Sequence, residues 1–172
     1  RQMCIRDRVM TANNEIGTVQ DIKRLAGIAH SYGALFHTDA VQAVCSENID
    51  VKDTAVDMMS MSAHKIYGPK GIGALYVKKG IKTEKLICGG HQERSMRGGT
   101  TNVSGAVGFA AAIKKAALER DENNRRIRHL RDAFIKKITA EIPDISINGS
   151  MTVRVPQNIN ITVGGLGDLS LI

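Results

Sequence analysis

Three short apolar runs each end in a cluster of polar residues, and this repetition constrains the chain more than any other feature. Val9–Ala12 runs into "NNEIG", Ala34–Thr38 closes on Asp39, and Val56–Met61 ends at "SAHK". A fourth run, Gly73–Val77, follows. Between the first two, Asp21–Tyr32 places Ile22, Leu25, Ala26 and Ala29 on one side of a helix, with Asp21 in its first turn and Gly33 as its stop. Short apolar strands alternating with a helical pattern predict an α/β fold, a mostly parallel sheet covered by helices. In open parallel sheets, ligands bind beyond the carboxyl ends of the strands. Asn13 and Asn14, Asp39 and Gln42, and the stretch Ser62–Lys65 are therefore expected to share one site.

Beyond "GGHQERSMRGGTTN" the pattern changes. Val103 to about Ile142 reads as one long helical region, Ala-rich in "AVGFAAAIKKAALE" and ended by Pro143. "DENNRR" within it is either a bend or an exposed stretch. "SIN" and "NINITV" read as strands of a new sheet, and "DLSLI" as the start of another helix. The boundary is placed near Glu119–Asn123. Residues 9–120 then form part of a large domain, and residues 121–172 begin a smaller α+β domain that is not completed. The chain is expected to be a fragment of a longer protein.

At 42% hydrophobic and 24% charged residues a buried core is expected, but with 3% aromatics and no Trp it must be aliphatic. No apolar run approaches about 18 residues and no signal-peptide pattern is present, so no membrane association is expected. Cys4, Cys45 and Cys88 lack metal or redox spacing, which predicts a reducing, cytoplasmic setting with no disulfides and no metal. The net charge of +7 does not predict nucleic-acid binding. Part of it lies in "RQMCIRDR", and the densest remaining cluster, Arg125, Arg126, Arg128 and Arg131, reads as a solvated face or a partner surface. With so few aromatics there is no stacking platform for single strands. "MCIRDR" is also what ATG TGT ATA AGA GAC AG encodes, a string that resembles a transposon-end library adaptor. Residues 1–8 are accordingly expected to be adaptor-derived and are set aside from fold reasoning.

Lys65 and Asp39 are the leading chemical candidates. A lysine forms an imine with an aldehyde when its amine is neutral part of the time, and Lys65 follows an apolar strand at the expected core edge. Lys70, between Pro69 and Gly71, is expected to be more exposed. A carboxylate such as Asp39 can hold the proton of a pyridinium ring, but "TDAVQA" equally permits Asp39 to cap a helix carrying Cys45. His37 and Asp39 share a strand face without a third metal ligand in view. "GPKGIG" lacks the Lys-Ser/Thr and helix of a P-loop and runs into a strand, so its glycines are expected to shape a turn. "RGGTTN" precedes a helix and is open to two readings, phosphate binding or plain capping by Thr101 or Asn102. Cys45 is expected to be buried and inert, and Cys88 to lie in a loop.

Taken together, "NNEIGTVQDI", "HTDAVQA", "SMSAHKIYGPKGIGALYV" and "GGHQERSMRGGTTN" resemble the cysteine desulfurases, pyridoxal-phosphate enzymes of the aspartate-aminotransferase superfamily. The similarity runs from Val9 to Ile172, in order and with compatible spacing. The resemblance implies an aminotransferase-like fold and pyridoxal 5'-phosphate as cofactor. It implies that Lys65 holds the cofactor as an internal aldimine, with His64 beside it as the second catalytic candidate. Asp39 corresponds to the partner of the pyridine nitrogen, Gln42 to the residue bonded to the ring hydroxyl, and Ser62 and His64 to phosphate contacts. Asn14 corresponds to the Asn near cofactor and substrate carboxylate. Thr100 corresponds to a residue that reaches the phosphate of a neighbouring subunit, which implies a homodimer.

The implied reaction converts L-cysteine to L-alanine and delivers sulfur as an enzyme persulfide, for iron–sulfur cluster assembly or tRNA thiolation through an acceptor or scaffold protein. The family's phosphate loop and ring-stacking histidine lie upstream of these motifs, and its persulfide cysteine lies downstream of "DLSLI". Neither Cys45 nor Cys88 takes that position. The parent protein is thus expected to be a desulfurase, and this chain alone inactive and a poor binder of cofactor. Alternatives are a selenocysteine lyase or another enzyme of the same fold, a non-catalytic interaction module docking through the Arg125–Arg131 face, and a nucleotide-binding protein using "GPKGIG".

Overall fold

The computed structural model describes the backbone of residues 6–165 and the side chains from Arg8 onward. A four-stranded sheet is built from β1 (Arg6–Met10), β2 (Leu35–Asp39), β3 (Met58–Ser62) and β4 (Gly73–Val77), in that spatial order. The first three strands are parallel, with Met10 opposite Asp39 and Asp39 opposite Ser60. β4 runs antiparallel to β3, from Met58 opposite Val77 to Ser62 opposite Gly73. The expected parallel pattern stops there because only a short connection joins β3 to β4. A chain needs a dozen or more residues to cross over, and a shorter link reverses it.

β1 begins earlier than the apolar run suggested, so Arg6–Arg8 lie in the sheet although residues 1–8 were set aside. Strand pairing uses backbone groups, which every residue type but proline carries in full. Cys4 and "DLSLI" lie outside the described residues.

Helix α1 (Ile22–Ser31) connects β1 to β2. Asp21 caps it, accepting the Arg24 N–H at 3.0 Å, and Gly33 follows with a φ of +71°. Its buried face, Ile22, Ala26 and Ala29, packs with Phe36, Ala40, Val56 and Met59 into the main core. Along β2, Phe36 and Thr38 are buried in alternation with half-buried Leu35, His37 and Asp39. Period-two alternation thus separates a core face from the face that carries Asp39.

The helix expected after Asp39 is absent. Residues 40–46 form successive turns, with Ala43 N–H and Val44 N–H both donating to the Ala40 carbonyl. A single-turn helix α2 (Val51–Thr54), capped by Asp50, precedes β3 and was not foreseen.

Helix α3 (Val103–Glu141) is continuous through residues 119–123, where a boundary was expected, and "DENNRR" does not interrupt it. Near its start Phe109 packs on Ala63 and Ile66, joined by Ala112, Ile113 and Ala116. Further along, Arg120 and Asn124 donate to the carbonyls of Glu47 and Ser46 at 3.2 and 2.8 Å. Arg125, Arg126 and Arg128 are exposed, but Arg131 is buried and bonded to Asp132, so the expected four-arginine face has three members. Asn102 caps α3, its Oδ1 accepting the Gly105 N–H at 2.9 Å. Asn102→Ala is expected to cost about 1 kcal/mol, measured by urea denaturation, because one donor of the first turn loses its partner.

β5 (Ile145–Ile147) and β6 (Ile161–Val163) form a separate antiparallel ribbon. The segment between them returns to the large sheet. Val19 N–H donates to the Val153 carbonyl, Val155 N–H donates to the Gly17 carbonyl, and Val155 joins Ala12 and Ala43 in a second buried cluster. Among the described residues no helix is long and apolar enough to cross a membrane.

Candidate active site

Because β1, β2 and β3 are parallel, their carboxyl ends lie on one edge of the sheet, and the polar residues of interest follow those ends. Asp39 ends β2. Its Oδ1 accepts the Val41 N–H at 3.0 Å, and its Oδ2 faces the Arg8 Nη2 at 2.7 Å. The first bond closes the turn after the strand, in place of the expected helix cap.

The turn after β1 is organised by its two asparagines in different ways. Asn13 Oδ1 accepts the N–H groups of Glu15 and Ile16, both at 2.9 Å, which folds the turn on itself. Asn14 is left exposed, its Nδ2 donating to Glu15 Oε1 at 2.7 Å. Asn158 and Asn160 hold this turn from outside, donating to the Glu15 carbonyl at 2.9 and 3.1 Å.

Ser62 ends β3 and leads into a single 3-10 turn, Ala63–Ile66. Ala63 and Ile66 are buried against Phe109, so the two residues between them, His64 and Lys65, are turned outward. Ser62 Oγ and His64 Nδ1 are 2.8 Å apart. Lys65 lies in the open and not at a core edge, and among the described residues its amine makes no hydrogen bond or ion pair. Lys70 is exposed as expected. Gly71 has a φ of +78°, and a Cβ on Gly73 would lie 2.7 Å from the Met61 carbonyl oxygen. "GPKGIG" is therefore a turn that needs its glycines for backbone reasons.

Gln42 is half-buried, and its carbonyl accepts from Gln157 Nε2 at 3.4 Å. Thr100 is exposed in the loop before α3, and among the described residues no hydrogen bond joins it to the strand ends. "RGGTTN" contributes the cap Asn102, the second of its two readings. His37 Nε2 meets Ser60 Oγ at 2.8 Å within the sheet. Cys45 is half-buried, and burial pushes its thiol pKa up, which disfavours the reactive thiolate. Cys88 is exposed in its loop.

Sequence reasoning missed Arg8, Asn158 and Asn160. No local pattern marks them, because their partners lie 31 to 145 residues away. The donor set itself fits pyridoxal phosphate. An unpaired lysine amine, a carboxylate at a strand end and a serine–histidine pair are the groups that an aldehyde, a ring nitrogen and a phosphate require.

A family model described as aminotransferase class-V matches residues 8–169. The chain belongs to that family. Within it, the chain is 49% identical over 154 residues to "Cysteine desulfurase IscS" of Dictyoglomus turgidum, covering 90% of this chain and 39% of that protein. A Clostridium botulinum protein of the same description is 46% identical over 166 residues, covering 95% of this chain and 42% of its own length. Among solved structures, the NifS-like protein from Rickettsia africae superposes with a TM-score of 0.89 at 33% identity, covering 94% of this chain and 44% of that one. The chain thus has the fold of class-V aminotransferases and spans about two-fifths of the length of the curated relatives it matches.

Proposed function

We propose that the protein to which this chain belongs is a pyridoxal-phosphate-dependent cysteine desulfurase. The reading is supported by the position of Asn14, Asp39 and Ser62–Lys65 after the carboxyl ends of three parallel strands, in a chain 49% identical to a desulfurase. Pyridoxal phosphate, when bound, supplies an electron sink for negative charge at the substrate α-carbon. Lys65 would hold the cofactor through its side-chain amine. Asp39 would face the ring nitrogen and favour its protonated form, and Gln42 would serve the ring hydroxyl. Ser62 and His64 contact the phosphate, and Asn14 orients cofactor and substrate carboxylate. Thr100 serves the site of a second copy, so the active form is a homodimer.

The exposure of Lys65 and Asn14 in this chain supports a site open to a second subunit and to further sequence. Sulfur leaves as a persulfide on a cysteine other than Cys45 or Cys88 and passes to an acceptor or iron–sulfur scaffold protein in the cytoplasm. Residues 1–8 are adaptor-derived in this reading, residues 9–120 belong to the cofactor-binding domain, and residues 121–172 to the smaller one.

The full-length protein, given pyridoxal phosphate, L-cysteine and a thiol reductant, is expected to release alanine and sulfide in equal amounts. Turnover of selenocysteine alone would replace the reading with a selenocysteine lyase. Absence of cofactor binding would replace it with an interaction module.

A further inference from the structure

The turn that carries Asn14 is clamped by the segment leading into β6. Asn158 Nδ2 donates to the Glu15 carbonyl at 2.9 Å and reaches the Asn14 carbonyl at 3.4 Å. Asn160 Nδ2 donates to the same Glu15 carbonyl at 3.1 Å. Asn160 is itself aimed: its Oδ1 accepts from Asn148 Nδ2 at 2.7 Å, and its backbone carbonyl accepts the Asn148 N–H at 2.9 Å. Asn148 directly follows β5, so a chain of amides runs from the β5–β6 ribbon to the peptide group beside Asn14. Asn158 Oδ1 is buried and has no hydrogen-bond partner among the described residues. An unpaired buried acceptor is destabilising, so the Nδ2 contacts with the turn must outweigh it. Gly17 makes the approach possible. Its φ is +70°, and a Cβ there would lie 2.6 Å from Asn158 Oδ1.

We propose that Asn158 and Asn160 are positioning residues for Asn14, which set how tightly the site holds the substrate carboxylate without touching it. The inference rests on the assignment of Asn14 to that carboxylate. The Asn14 side chain is exposed and bonded only to its neighbour Glu15 among the described residues, so its place depends on the backbone beneath it. The bonds from the Glu15 and Ile16 N–H groups to Asn13 Oδ1 fix the shape of the turn. The two outside amides fix where that shape sits, because together they take both lone pairs of the Glu15 carbonyl. Without them the carbonyl bonds to water and the turn is free to shift. A displaced Asn14 holds the carboxylate less well in ground state and transition state alike. Loss of such uniform binding raises KM and leaves kcat nearly unchanged.

The test uses the full-length protein with pyridoxal phosphate, L-cysteine and a thiol reductant. Asn160→Asp is isosteric but sets an acceptor against the Glu15 carbonyl. It is expected to raise KM for L-cysteine about three- to tenfold, the equivalent of one lost hydrogen bond, with kcat within about twofold of the parent. Asn158→Ala removes the unpaired Oδ1 along with the donor, so it keeps the fold and is expected to raise KM in the same way. Thr162→Val removes a different Asn148 bond of the same ribbon, 2.9 Å long, and is expected to leave KM unchanged. Amide exchange at Glu15, Ile16 and Gly17, read by mass spectrometry of the peptide that contains them, is expected to quicken in Asn160→Asp and not in Thr162→Val. In an Asn14→Ala background, Asn160→Asp is expected to add less than about twofold to KM, because the group it positions is gone. Unchanged KM in both Asn160→Asp and Asn158→Ala, or a full further rise in the Asn14→Ala background, overturns the positioning role and leaves the desulfurase reading standing. No alanine release by the parent overturns that reading and this inference with it.

Discussion

In the full-length protein, Lys65→Ala is expected to reduce saturable labelling by pyridoxal phosphate to background. In the proposed site this amine is the group that would hold the cofactor, and alanine offers no substitute. Lys65 is held outward by the burial of Ala63 and Ile66 on either side, so its replacement removes the nucleophile without opening the core beneath it. Far-UV circular dichroism and the thermal midpoint are therefore expected to stay close to those of the parent chain. Lys70→Ala, five residues on in the glycine turn, is expected to label like the parent. Lys65→Arg keeps the positive charge but is expected to fail as alanine does, because a guanidinium does not lose its proton to act as an amine. Spectroscopy of the lysine–cofactor adduct and peptide mapping after reduction read this directly. Labelling spread evenly over the surface lysines in parent and Lys65→Ala alike would remove Lys65 from the site.

Asp57→Ala is expected to destabilise the chain by about 2–4 kcal/mol, from the loss of charge-assisted bonds and one stranded buried donor. Asp57 is 3% exposed and sits before β3. Its Oδ2 accepts the Phe36 N–H and lies against His30 Nε2, both at 2.8 Å, and Lys78 Nζ is 3.7 Å from Oδ1. One carboxylate thus ties α1, β2 and the end of β4 together. Burial by itself pushes the Asp57 pKa up, but the Phe36 N–H, His30 and Lys78 together outweigh it, and the net direction is down. The folded carboxyl therefore binds its proton less readily than the unfolded one, whose pKa is about 3.9. Its stabilising contribution is complete above that value and is lost as pH falls through the lower folded pKa. Asp57→Asn keeps an acceptor for Phe36 and is expected to cost less, while flattening the acid limb of stability that sets in as pH falls from neutral to below about 4. Urea midpoints measured across that range check both statements. An unchanged acid limb in Asp57→Asn would show that other carboxylates carry it.

The strands and α1 were legible because their signals are local. Alternation in "ALFHT", the apolar spacing of Ile22, Ala26 and Ala29, and Asp21 at the helix start all act within a turn or two of chain. The helix expected after Asp39 failed for a local reason too. Asp39 spends Oδ1 on the Val41 N–H, and the chain then turns repeatedly through Ala40–Ser46 to pack Ala40 and Ala43 in the core. Burial of two small residues outweighed helix propensity. The long helix α3 ran through "DENNRR" because most of its polar residues face solvent and Asn124 finds the Ser46 carbonyl. Arg131 was misplaced for the opposite reason: a charged residue in an arginine-rich stretch reads as exposed until its surroundings are known.

The sequence alone determined the α/β class, the strand ends at which Asn14, Asp39 and Ser62–Lys65 fall, and the motifs that mark the family, because each depends on residue type and short spacing. The tertiary structure decided how those ends are used. It made β4 antiparallel, brought Asn158 and Asn160 to the Asn14 turn from more than a hundred residues away, and laid Arg8 over Asp39. Hydrogen bonds and ion pairs between distant segments depend on register and on which face of a strand a side chain takes. A pattern read along the chain carries neither until the strands are paired.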